Sequence, residues 1–170
     1  MLLPTQLTPE ELGYHWGMPL DPQRFPESHI QTDCRFTFIN RNVNGDAYQL
    51  ALLFDDDGLG CISAVAHESQ DFWEEREEME VIGEQFSQLF DQLRRETQQI
   101  LGIPDFTSNN ASWDYDKHGP EYTKWLGLFD YAYAVWENDE SRYQIGLQKE
   151  DTELPYTITV AAMRPDDAPD

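Results

Sequence analysis

A chain of 170 residues carrying 33 acidic side chains against 11 basic ones has a formal net charge of −22, yet it is 39% hydrophobic and 13% aromatic. An acidic disordered tail would lack the aromatics, so this is a folded domain of a size that closes one core without disulfides or metals. A surface this anionic repels nucleic acid and anionic lipid, and it steers toward basic partners, among which nucleic-acid-binding proteins are the commonest.

Met1-Leu2-Leu3-Pro4-Thr5-Gln6 has neither the basic start nor the apolar run of a secretory signal, and no stretch of the chain is long enough to span a bilayer. A basic amphipathic surface helix is also missing, so a soluble cytoplasmic protein without membrane contact is expected. Thr8-Pro9-Glu10-Glu11 predicts a short helix at an edge of the fold, with Thr8 as N-cap, Pro9 at the first helical position and Glu11 closing a capping box. Gly17 and Pro19 end it, and the polar, proline-bearing stretch 18–33 predicts an ordered surface loop.

From Cys34 to Arg41 and from Ala47 to Phe54, β-branched and aromatic residues dominate, and Asn44-Gly45 lies between the two runs. A type I′ turn needs positive φ at both central residues, which Asn-Gly tolerates, so a hairpin is predicted. Asp55-Asp56-Asp57-Gly58 makes the next turn, and 60–66 reads as a third strand. The turn is not an EF-hand: Leu59 and Ala66 stand where a ligand and the closing Glu belong. Cys34 and Cys61 form no C-x-x-C pair and are expected as two buried free thiols, with their proximity left open.

Between Asp71 and Leu101 the period becomes helical, with Met79, Ile82, Phe86, Leu89, Phe90, Leu93 and Ile100 on one face. Asp71 with Glu74 fits a capping box, acids crowd the first turns, and Arg94 and Arg95 lie toward the other end, as the helix dipole prefers. Gly102 and Pro104 stop the helix, while Gly83 either bends it or admits another element closely. After a polar loop over 106–119, three strands follow as a meander. The first, 125–136, is apolar on both alternating sets; Tyr143, Ile145 and Leu147 alternate with polar residues, the mark of one wet face; Tyr156, Ile158 and Val160 do the same. Each half of the chain thus resembles a three-stranded meander around one long helix. The tail 164–170 is expected to be disordered.

Three groups of residues carry candidate chemistry. Asp114, Asp116 and His118 bring two carboxylates and an imidazole within five positions, a set able to hold a divalent metal or act as acid and base, although its spacing matches no ligand signature and Gly119-Pro120 favours turn chemistry. His15, His29 and His67 are scattered and stand as surface histidines. The usual enzyme signatures are absent, so no catalytic residue, metal or cofactor is assigned. The run Glu74, Glu75, Glu77, Glu78, continued by Glu80, holds more acid than capping needs, and like charges at neighbouring helical positions repel. Acid is repeated in Asp55, Asp56 and Asp57, in 137–140 and in 150–153. Trp73 and Trp113 stand beside acids, either as interface anchors or as caps on the core edge. The candidate partner-binding set is therefore Trp73, Glu74, Glu75, Glu77, Glu78, Asp55, Asp56, Asp57, Trp113, Asp114 and Asp116.

Ile145-Gly146-Leu147-Gln148-Lys149-Glu150-Asp151-Thr152-Glu153-Leu154-Pro155-Tyr156-Thr157-Ile158-Thr159-Val160, with Trp136 on the preceding strand, resembles the C-terminal hairpins of bacterial immunity proteins that accompany polymorphic toxins. The resemblance covers the last quarter of the chain. It implies a small, cytosolic, acidic protein without catalytic residues that binds one toxin domain tightly, and it carries over no residue roles.

The expectation is one α+β domain over 1–163: an antiparallel sheet of about six strands packed against one long helix, with a short N-terminal helix. Its expected function is that of an immunity protein or antitoxin that occludes a cationic toxin, most plausibly a nuclease. A DNA-mimicking regulator of a nucleic-acid-binding protein would carry the same charge, and a metal-dependent enzyme would need Asp114, Asp116 and His118 to converge.

Overall fold

Two runs of alternating strand residues, separated by one helical run, build a single sheet with a helix on one face. The computed structural model describes residues 1–31, 34–70, 76–109, 132–148 and 155–165. The strands are β1 (His29–Gln31), β2 (Cys34–Val43), β3 (Asp46–Asp55), β4 (Gly58–Glu68), β5 (Phe106–Asn109), β6 (Ala132–Glu137), β7 (Arg142–Gln148) and β8 (Thr157–Met163), with the helix α1 (Arg76–Leu101) between β4 and β5. Their order in the sheet is β1-β2-β3-β4-β8-β7-β6-β5, and each pairing is antiparallel. Two four-stranded meanders therefore lie side by side, joined through β4 and β8.

The α+β architecture with one long helix is as expected; the differences lie in small elements. Asn44 and Gly45 have φ of 53° and 91°, the positive pair that closes the β2–β3 hairpin. The stretch 18–33 contributes β1, and the polar segment from Phe106 begins with β5; each extends the sheet by one edge strand. The N-terminal helix is replaced by two 3-10 turns, Pro4–Leu7 and Glu10–Leu12. Thr8 does not cap the second turn: Pro9 is its N-cap, without a side-chain hydrogen bond, and Gly13 closes it in the left-handed region at φ 74°. The Leu12 and Gly13 N–H groups bond three residues back, to the Pro9 and Glu10 carbonyls at 3.0 and 3.1 Å, and the left-handed Gly13 turns the chain away before the helix can lengthen.

The second turn lies near the β2 side, where Arg41 donates to the Glu11 carbonyl at 2.9 Å, whereas the turn before it reaches the middle of the sheet. The turn Pro4–Leu7 packs against β4, β7 and β8, the middle of the sheet, with Leu2 and Leu7 wholly buried. Trp16 Nε1 donates to the Glu140 carbonyl and to Ser141 Oγ, each at 3.0 Å, tying the segment to the β6–β7 turn. Gly17 N–H donates to the Leu59 carbonyl and Leu59 N–H to the Met18 carbonyl, both at 2.9 Å. Gly58, at φ 93°, lets the two backbones meet, since a Cβ there would lie 2.3 Å from the Gly17 oxygen.

The core lies between the N-terminal segment, α1 and one face of the sheet. Leu50, Leu52 and Phe54 of β3, Ile62 of β4, Ile158 and Val160 of β8, Ile145 and Leu147 of β7 and Trp136 of β6 share that face with Phe86, Phe90 and Leu93 of α1. Each large apolar side chain withdrawn from water contributes roughly 2 kcal/mol. Gly83 settles at a close approach, because a Cβ there would meet the Tyr156 hydroxyl at 2.6 Å. The helix ends where Gly102, at φ 89°, donates its N–H to the Gln98 carbonyl at 2.9 Å. Trp136 Nε1 then donates to the Gly102 carbonyl at 2.9 Å, fastening β6 to the helix end.

The opposite face of the sheet is buried along β7, contrary to the wet face expected there. Arg142 and Gln144 are buried together with Tyr133, which stacks on Phe106 at 5.3 Å between centroids, and with Leu53, Cys61, Ala161 and Met163. Cys34 and Cys61 lie on β2 and β4 with β3 between them. Leu53 pairs with both Phe36 and Cys61, so the two cysteine positions are two strand spacings across and two residues along, with Cα atoms roughly 12 Å apart, beyond disulfide reach. Arg164, assigned by sequence to the disordered tail, is anchored: its N–H donates to the Gly60 carbonyl at 2.8 Å.

Candidate functional site

The first candidate contact region is the N-terminal third of α1. Met79, Ile82, Gly83 and Phe86 turn toward the sheet, which leaves Glu78, Glu80 and Glu84 exposed on the outside. Val81 lies on the same side with 56% of its surface exposed, an apolar side chain with Glu78 and Glu84 at the neighbouring helical positions three residues to either side. Among the described residues no cationic side chain lies within ion-pair distance of those three glutamates. Glu77 lies in α1, whereas Trp73, Glu74 and Glu75 fall outside the described residues. Val81 was not singled out by sequence reasoning, although its offset from the Met79–Ile82–Phe86 stripe was the signal available.

The β3–β4 turn is the second region, and its three aspartates divide by role. Asp55 is drawn into the fold: its Oδ1 accepts from Asp57 N–H at 2.9 Å and its Oδ2 pairs with the Arg164 guanidinium at 2.9 Å. Arg164 also donates to the Asp57 carbonyl at 3.1 Å. Asp56 and Asp57 keep their carboxylates in water. The turn walls an open groove of about 690 Å³ that also presents Ile30, Leu20 and Arg35. Carboxylates beside the exposed Ile30 and the half-buried Leu20 suit a long cationic side chain, whose stem is apolar and whose head is charged.

The described arginines are mostly committed to the fold. Arg24 lies over the Tyr14 ring at 4.5 Å, Arg41 donates to the Glu11 carbonyl at 2.9 Å, and Arg95 Nε donates to the Asp91 carbonyl at 3.2 Å. Arg94 pairs with Asp91 at 3.5 Å and Arg142 with Glu137 at 2.7 Å. Burial, and then the positive amino terminus, hold the His67 imidazole below its ordinary pKa, so it adds no cation at neutral pH. Among the described residues most of the positive charge is thus tied internally, while Asp56, Asp57, Glu78, Glu80 and Glu84 face solvent.

No known protein family, curated protein or solved structure matches this chain. Among the described residues no group of His, Cys, Asp or Glu gathers at metal-binding distance, and no helix is long and apolar enough to cross a membrane. Trp113, Asp114, Asp116 and His118 lie outside the described residues, as does the acidic run 150–153. The acidic stretch 137–140 forms the β6–β7 turn, where Asn138 Oδ1 accepts from the N–H groups of Glu140 and Ser141 at 2.9 and 2.8 Å.

Proposed function

We propose that this protein is a non-catalytic inhibitor, an immunity protein or antitoxin that captures a cationic toxin domain of the nuclease class. The observation that carries the reading is the set of exposed carboxylates Glu78, Glu80 and Glu84 beside exposed Val81 on the outer face of α1, without an ion-pair partner among the described residues, while most of the described arginines are held by the fold. Carboxylates in that position pair with the lysines and arginines that a nuclease uses to hold phosphates, through charge-assisted hydrogen bonds. The −22 net charge accelerates the encounter, and the apolar centre slows dissociation.

The test is inhibition of, and co-purification with, a basic nuclease-toxin domain, sought first in the reading frame next to the gene for this chain. Replacing Glu78, Glu80 and Glu84 by Gln is expected to lower the association rate by about tenfold at low ionic strength, with a smaller effect on dissociation. A bound toxin whose association is untouched by the triple substitution removes α1 as the contact. Failure of the chain to protect against that toxin removes the inhibitor reading.

A further inference from the structure

The β2–β3 hairpin departs from the charge of the rest of the chain. Residues 34–54 hold one acid, Asp46, where the chain's average implies about four, and two arginines, Arg35 and Arg41. Asp46 itself lies 3.6 Å from the amino-terminal nitrogen. A basic partner has least to gain here, and a second −22 chain meets least repulsion here.

The outer edge of β2 is also unfinished. β1 pairs only with Cys34, Arg35 and Phe36. The Val43↔Asp46 pair closes the two-residue hairpin, so odd-numbered residues of β2 bond inward to β3 and even-numbered ones bond outward. Cys34 and Phe36 spend their outward groups on β1. Among the described residues no partner meets the outward amides and carbonyls of Asn40 and Asn42, and both residues are exposed. An edge of this kind pairs with another strand unless something blocks it.

We propose that this edge is a homodimer interface, at which β2 of a second copy adds antiparallel about a two-fold axis through Asn40. An axis through Arg41 would set two guanidiniums directly opposite each other, whereas an axis through Asn40 pairs two amide side chains and places Ile39 opposite Arg41. The sheets of two copies then run on as one, and both acidic helix faces stay uncovered. This inference is independent of the toxin reading.

Sedimentation of the full chain tests it. The mass is expected to rise toward twice that of one chain with concentration, and to do so more readily with added salt, because screening removes the long-range repulsion. Asn40→Asp places like charges opposite one another at the axis and is expected to weaken dimerisation severalfold while leaving the circular dichroism spectrum unchanged. Asn40→Cys is expected to give an intermolecular disulfide on mild oxidation, since paired Cα atoms lie about 5.5 Å apart. Asn42→Cys is not, since its two copies lie roughly 13 Å apart along the strands. A chain that stays monomeric at high concentration and salt overturns the proposal. So does a dimer that ignores Asn40→Asp, or one that cross-links through Asn42 but not Asn40.

Discussion

Gln144 is wholly buried, and among the described residues neither its Oε1 nor its Nε2 has a hydrogen-bond partner. Two residues earlier, Arg142 is buried on the same face but has its guanidinium paired with Glu137 at 2.7 Å. A buried amide without partners costs about 1–3 kcal/mol, which an apolar side chain of like shape avoids. Gln144→Met is therefore expected to raise stability by about 1–2 kcal/mol, read as a higher urea midpoint at unchanged slope. A lower midpoint would show that the amide is bonded in solution. The sequence could not reveal this environment. Gln144 alternates with Tyr143 and Ile145, the pattern of a half-wet strand, and periodicity reports which residues share a face without reporting what covers it. The same limit applies to the acids: the Asp55-Asp56-Asp57 run was legible as a turn, but that Asp55 is neutralised by Arg164, 109 positions away, is a tertiary fact.

At the scale of elements, α1 shows how a local preference yields to packing. Glycine in a helix interior costs about 1 kcal/mol relative to alanine, so Gly83 persists only because something occupies the space of its side chain. That something is Tyr156, whose hydroxyl and ring carbon would lie 2.6 and 3.1 Å from an added Cβ. Tyr156 is buried, and its N–H is held by Ser69 Oγ at 2.8 Å, so it has little room to retreat. Gly83→Ala is expected to be net destabilising by about 1–2 kcal/mol, because overpacking exceeds the helix-propensity gain. In a Tyr156→Phe background the cost of Gly83→Ala is expected to fall by about 1 kcal/mol or more, a coupling that chemical denaturation of the four chains measures. Equal costs in both backgrounds would refute the contact. The helix and its stop were legible because a 3.6-residue period sustained over about six turns and a following glycine and proline are local signals. β1 and β5 were not, because strands of three or four residues exist only through the neighbour they pair with. The 3-10 turns were missed for the opposite reason: capping chemistry marks a start, whereas Gly13 left no length for a helix.

For the whole molecule, the carboxylates oppose the fold they decorate. The four ion pairs among the described residues neutralise Asp46, Asp91, Glu137 and Asp55, whereas exposed acids such as Asp56, Asp57, Glu78, Glu80 and Glu84 add to the mutual repulsion of a chain at −22, which is relieved on unfolding. Screening weakens that repulsion more than it weakens the short, partly buried pairs: Arg164 with Asp55 at 2.9 Å is far less accessible to ions than Glu78 or Glu84. Raising sodium chloride from about 0.01 M, where the Debye length is about 30 Å, to about 0.1 M, where it is about 10 Å, is expected to stabilise the chain. A gain of about 1 kcal/mol would raise the thermal midpoint by roughly 2–4 °C at this size. Association with a basic toxin should move the other way, slowing as salt rises, because the same field that burdens the fold draws the partner in. The two trends can be read on one preparation, by thermal melting and by stopped-flow binding over a common salt series. A thermal midpoint that falls with salt would mean that the ion pairs outweigh the crowded carboxylates. The surface charge would then be part of what holds the fold together, and the case for a captured cationic partner would lose its energetic basis.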